Sequence, residues 1–187
     1  MIDILQLLRN SIKAEFHYEE DKGDTITLLE KQEHSECKFV KIKKGAIRTF
    51  TLELDKQNEI DIHPLLAPIK DLKTKCDYVI FCQKENALYV LVIELKSSNP
   101  TGWTKQTRTG EVVTRYLVGM IENYSKMSIS PQIEFRYLLF STQNANRLKE
   151  KKAKVKGFNY EKDRKFGFLF TRKPCNMTYP DLGFFLR

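Results

Sequence analysis

The chain has 187 residues, 41% of them hydrophobic, a length and balance that suit one domain (1–187) with a substantial core. Its 32 Lys and Arg outweigh 24 Asp and Glu, for a net charge of +8. No apolar run approaches the roughly 18 residues of a membrane span, no basic-then-apolar leader opens the chain, and Cys37, Cys76, Cys82 and Cys175 lack C-x-x-C spacing. The expectation is a cytoplasmic protein with reduced, core-packed thiols, and membrane proteins, disulfide scaffolds and zinc ribbons are set aside.

In chain order, Leu5, Leu8, Ile12 and Phe16 recur at three-to-four spacing and predict an amphipathic helix over residues 2–17, with Glu15 and Glu19 flanking its apolar stripe. Residues 20–24 read as a turn and 25–29 as a short strand. Residues 37–43 and 46–54 are expected to form a hairpin about Lys44-Gly45, with Thr49, Thr51 and Glu53 on a wet face opposite Phe50, Leu52 and Leu54. Glu59, Asp61 and His63 alternate along what reads as an exposed edge, and residues 65–71, broken by Pro68, as a loop. Two apolar runs follow, 74–82 and 88–96, joined by a polar link of hairpin length and so expected to pair antiparallel. After a loop containing Pro100 and Gly102, the spacing of Val113, Tyr116, Leu117, Met120, Ile121 and Tyr124 predicts a helix from about Lys105, closed by Pro131. Residues 134–141 and 165–171 read as further strands, joined by a basic stretch, 147–156, in an exposed loop or short helix.

The run over residues 88–96 ends Glu94-Leu95-Lys96. Side chains alternate along a strand, so Glu94 and Lys96 share the face that Val90 and Val92 pack. In an antiparallel hairpin the start of the first strand lies beside the end of the second. Asp77 then joins Glu94 and Lys96 at one end of the sheet. Two hard carboxylates suit Mg²⁺ or Mn²⁺, ions that keep waters and accept phosphate oxygens. An ammonium about 6–7 Å along the strand is placed to hold the attacking water or a phosphate oxygen.

Charge distribution points the same way. Residues 149–173 hold 10 Lys or Arg against 3 acids, so this segment carries +7, the footprint of a polyanion-binding surface. Lys151, Lys152, Lys154 and Lys156 are its densest part. Lys105 and Arg108 add positive charge at the start of the helix after the Glu94 strand, an end whose free N–H groups favour phosphate. Trp103, in the loop beside the expected site, is a candidate for base stacking as well as for packing. Other chemistries lack their residues: there is no Gly-rich nucleotide loop, His17, His34 and His63 are scattered, and no Ser or Cys sits in a nucleophile turn.

Asp77, then sixteen residues, then Glu94-Leu95-Lys96 at the end of an apolar strand followed by a helix bearing Lys105-Gln106 resembles the PD-(D/E)xK nuclease superfamily. The resemblance spans residues 76–106 in motif and about 2–140 in topology, and Cys76 stands where the motif's name has proline. It implies an α/β fold with a restriction-endonuclease-like core, a central mixed or antiparallel sheet flanked by helices. It implies Asp77 and Glu94 as metal ligands, Lys96 as the residue that positions water, Gln106 as the polar residue on the following helix and Glu15 as an acid from the first helix. The implied activity is Mg²⁺- or Mn²⁺-dependent cleavage of nucleic acid, DNA rather than RNA, in restriction, anti-phage defence, mobile-element or repair systems, with a homodimer or partner subunits as associates. The alternative is a catalytically silent module of the same fold that binds nucleic acid or protein.

Overall fold

The computed structural model describes residues 3–56, 66–67, 69, 72–85, 87–97, 102–129, 133–142, 160–162 and 167–187. They form a three-layer α/β arrangement: two helices, a six-stranded mixed sheet, and a four-stranded sheet on the other side. No helix among the described residues is long and apolar enough to cross a membrane.

Helix α1 (Ile4–Ser11) begins where Asp3 accepts from Leu5 N–H at 3.1 Å, an N-cap held in turn by Arg48. It stops six residues short of the expected end, because the chain is drawn onto the sheet. His17 Nε2 bonds the Ile12 carbonyl at 2.9 Å, and His17 bridges Leu52. Glu15 therefore sits on a 3₁₀ turn, Ala14–Phe16, rather than on the helix.

Strands β1 (Asp21–Lys22), β2 (Thr25–Leu29) and β3 (Phe39–Lys43) pair antiparallel in the small sheet, where β10 (Met177–Tyr179) adds parallel to β3. Strand β4 (Arg48–Glu53) does not pair with β3; it joins the large sheet beside β5 (Tyr78–Lys84). The expected hairpin is thus a corner between sheets, turned at Lys44-Gly45 with Gly45 at φ +59°. Its supposed wet face is covered. Thr51 and Glu53 are buried against the small sheet, and Thr49 and Thr51 both donate to the Asp21 carboxylate. A buried acid on β1 thereby draws β4's hydroxyls inward and sends Phe50 and Leu52 to the helix side.

β5 and β6 (Ala87–Lys96) form the expected hairpin, in register from Lys84–Ala87 to Tyr78–Ile93. The chain then crosses through α2 (Trp103–Ser125) to β7 (Ile133–Ser141), parallel to β6. β9 (Leu169–Pro174) lies parallel to β7, with β8 (Glu161–Lys162) at the edge. Alternation splits the core cleanly. Val79, Phe81, Val90, Val92, Leu139 and Phe170 face the helices, whereas Tyr78, Ile80, Leu91, Ile93, Leu138 and Phe140 face the small sheet with Phe185 of the C-terminal turn.

α2 lies closest to the sheet at Gly110. A Cβ there would overlap Cys76 Sγ and stand 2.7 Å from Val92 Cγ1. Cys76 is one residue from Asp77 and Val92 two from Glu94, so this contact seats the helix directly under the charged end of the hairpin. All four cysteines are buried free thiols.

Candidate active site

Asp77 immediately precedes β5, one step beyond the Tyr78–Ile93 pair, and so stands opposite Glu94 on the antiparallel partner. Its Oδ2 accepts from Leu95 N–H at 2.6 Å, which ties the carboxylate to the end of β6. Glu94 is wholly buried, on the helix side of the sheet after Val90 and Val92. Lys96 Nζ lies 2.5 Å from Glu94 Oε1. The approach is outside hydrogen-bond geometry, so both buried oxygens of Glu94 lack an aligned donor. Oε1 is ion-paired without hydrogen-bond alignment and Oε2 has no donor, and a buried carboxylate left so calls for an explanation.

The electrostatics follow from that crowding. Burial pushes the Asp77 carboxyl up to about 7, with Glu30 and Asp55 adding to the rise and the Leu95 N–H and the Lys96 ammonium opposing it. Glu94 is raised as well, by burial first and then by Asp77's charge, against the pull of Lys96. Burial alone would lower Lys96, but Glu94 and Asp77 together hold it above its ordinary value. Two acids and a base converge where a folded core gains nothing from gathering them.

Beside Asp77 opens a cleft of about 30 Å³, lined by Glu30, Lys31, Glu53, Asp55 and Tyr78 among others. That is room for one or two waters. Lys31 pairs with buried Glu53 at 2.5 Å. Sequence alone does not point to these acids, because alternation by itself places β4 beside β3. Once β4 is laid against β5, Leu54 N–H donates to the Asp77 carbonyl and Asp55 falls next to it.

No family model matches this chain. Neither a curated protein nor a solved structure matches it either.

The other site residues expected from sequence are more scattered. Gln106 is half-buried in the first turn of α2, with Oε1 near the Gly102 cap, and makes no hydrogen bond to Asp77, Glu94 or Lys96. Glu15 is exposed and faces Lys13 at 3.5 Å. Lys105 is exposed on the first turn of α2, an end whose Gly102 cap offers no side-chain acceptor. Arg108 is engaged within the protein: Glu111, almost buried, takes Arg108 at 2.6 Å and Arg115 at 2.8 Å and also accepts from Tyr137. Trp103 is a core residue, in contact with Phe168 and Phe170 rather than open to a base. Lys151, Lys152, Lys154 and Lys156, and the Glu59, Asp61 and His63 series, lie outside the described residues.

Among the described residues no three His, Cys, Asp or Glu side chains group closely enough to hold a metal. Two carboxylates remain, one with both oxygens unaligned to any donor. That set fits Mg²⁺ or Mn²⁺, which need only one or two protein carboxylates and fill their other positions with water and substrate phosphate. It does not fit a closed structural zinc site.

Proposed function

We propose that this chain is a metal-dependent phosphodiesterase of the restriction-endonuclease-like kind, cleaving nucleic acid within the strand, DNA rather than RNA. The observation that carries the proposal is the convergence of Asp77 and Lys96 on Glu94, whose buried oxygens have no aligned donor. A divalent cation bound by the two carboxylates would stabilise charge on the phosphodiester and acidify a coordinated water. Asp77 and Glu94 would hold the cation, Asp77 being oriented by Leu95 N–H. Lys96 projects from the same face of the strand as Glu94, and its ammonium would hold the attacking water or a non-bridging oxygen. As a compact point charge it is not replaceable by the planar fork of arginine.

Plasmid DNA incubated with the purified protein and Mg²⁺ or Mn²⁺ should be cut. Asp77→Ala and Lys96→Ala should each lower the rate by about 10²-fold or more, the scale of losing one transition-state partner, while low-salt binding persists. Mn²⁺ binding followed by electron paramagnetic resonance should be lost in Asp77→Ala and retained in Lys96→Ala. Cleavage surviving in both variants would move the site elsewhere.

One observation favours a second reading, a silent binding module of the same fold. The 2.5 Å contact between Lys96 and Glu94 already pairs the buried acid, as a purely structural ion pair would. A wild-type protein that binds nucleic acid but cleaves neither DNA nor RNA with either metal establishes that reading instead.

A further inference from the structure

We infer that Arg172 forms a second phosphate-binding point on the same face of the sheet, gripping the nucleic-acid backbone about 10 Å from Glu94, two strand spacings away. This rests on the nuclease reading of Asp77, Glu94 and Lys96 and adds to it a subsite for the flanking strand.

Register places it. Glu94 on β6 pairs with Leu139 on β7, and Leu139 pairs with Arg172 on β9, so the three form one row across the sheet. Leu139 and Phe170 both belong to the helix-side core, and alternation puts Arg172 on that side with Glu94. The row lies toward the carboxyl ends of three parallel strands, where open α/β sheets offer their ligand crevices.

The state of the side chain is the second observation. Arg172 is exposed, and no carboxylate among the described residues pairs with it. Four other arginines are engaged by acids, Arg48 by Asp3, Arg108 and Arg115 by Glu111, Arg136 by Glu134, whereas Arg9 and Arg187 lie over Phe50 and Phe184 away from the row that holds Glu94. The Arg172 guanidinium instead lies over two aromatic rings, 5.7 Å from the centre of Trp103 and 5.6 Å from that of Phe170. Cation–π contact with two buried rings restrains the guanidinium without using its N–H donors. An unneutralised fork so restrained is suited to bidentate capture of a phosphate.

Trp103 is the only tryptophan in the chain, so its emission reports on Arg172 directly. The test titrates fluorescein-labelled DNA and RNA oligonucleotides of one sequence into the full-length protein in EDTA, across a salt series. Arg172→Ala should weaken binding about 5–20-fold and make the salt slope shallower by about one, and the Trp103 response to oligonucleotide should vanish. Arg172→Lys should recover the slope but only part of the affinity. Under cleavage conditions Arg172→Ala should raise KM and leave kcat within about twofold. Arg187→Ala is the matched control: Arg187 ends the C-terminal turn packed on the opposite side of the sheet, and its replacement removes the same charge. Equal affinity and slope in wild type and Arg172→Ala, or equal effects of Arg172→Ala and Arg187→Ala, overturn the subsite while leaving the cleavage chemistry standing. A wild type that cleaves nothing, with Arg172→Ala still defective in binding, overturns the nuclease reading alone. Failure of the wild type to bind any oligonucleotide overturns both.

Discussion

Asp77 carries a carboxyl that burial holds at about 7, against an ordinary value of 3.8. The sign of the consequence is fixed by linkage. An acid raised on folding binds its proton more tightly folded than unfolded, so its contribution favours the folded state at low pH and is lost as pH rises from about 4 through 7. Glu94 is shifted in the same direction and deepens the trend. Metal-free protein should therefore be less stable at pH 8 than at pH 6, and Asp77→Asn should flatten that dependence. At pH 8 the Asn variant should melt above wild type, by about 2–4 °C for each kcal/mol recovered in a chain of this size. Thermal denaturation in EDTA at the two pH values measures it. A variant that gains stability by losing the acid is what a site kept for chemistry predicts; equal slopes would mean that Asp77 is adequately solvated.

At the scale of elements, the contact of α2 with the β5–β6 hairpin decides how well these side chains are held. Gly110 lets the helix backbone reach Cys76 and Val92, with no room for a methyl group. Gly110→Ala would gain helix propensity of about 1 kcal/mol, but the overlap costs about 1–3 kcal/mol and pushes the helix off the sheet. We expect a net loss of stability and, because Cys76 and Val92 flank the charged residues, a larger fall in cleavage than in melting temperature. Gly119→Ala supplies the contrast: Gly119 is exposed on the same helix with nothing within 4 Å of an added Cβ, and this substitution should stabilise. Gly119→Ala destabilising as much as Gly110→Ala would show that the close packing is not the cause. The same helix shows what periodicity conveys and what it does not. Val113 and Ile121 turn inward as their spacing suggests, yet Tyr116, Met120 and Tyr124, members of the same sequence pattern, are exposed. A 3.6-residue period identifies a helix, but the rotation of that helix is set by what it meets, here Gly110 against Cys76.

For the molecule as a whole, charge is the property that sequence states most directly and folding redistributes. Much of the positive excess lies in residues 149–173, whose densest part is outside the described residues, whereas Arg172 at its end belongs to a core strand beside the candidate site. The two parts should behave differently. Neutralising Lys151, Lys152, Lys154 and Lys156 together should weaken nucleic-acid binding uniformly across sequences and lower the salt slope, by up to about 0.9 for each phosphate that is no longer neutralised. Binding isotherms between 50 and 200 mM salt, a range over which phosphate binding changes affinity roughly 10³-fold or more, give the slopes. An unchanged slope would make the segment solubilising surface only.

The expectations that the structure bears out concern neighbours in the chain. Alternation puts Glu94 and Lys96 on one face, and a short polar link makes 78–84 and 87–96 a hairpin with Asp77 at its charged end. These follow from backbone geometry and turn length, which a few residues settle among themselves. The expectations that fail concern partners chosen at a distance. Residues 39–43 and 48–53 alternate like a hairpin, but a buried Asp21 and the apolar faces of two sheets divide them, and only that division brings Glu53 and Asp55 beside Asp77. Arg172 reads as one more cation of a basic segment until β7 and β9 align it with Glu94. Local sequence determined which residues alternate together; the burial of apolar faces, summed over the whole chain, decided which strands meet, and so which charges left water and came together.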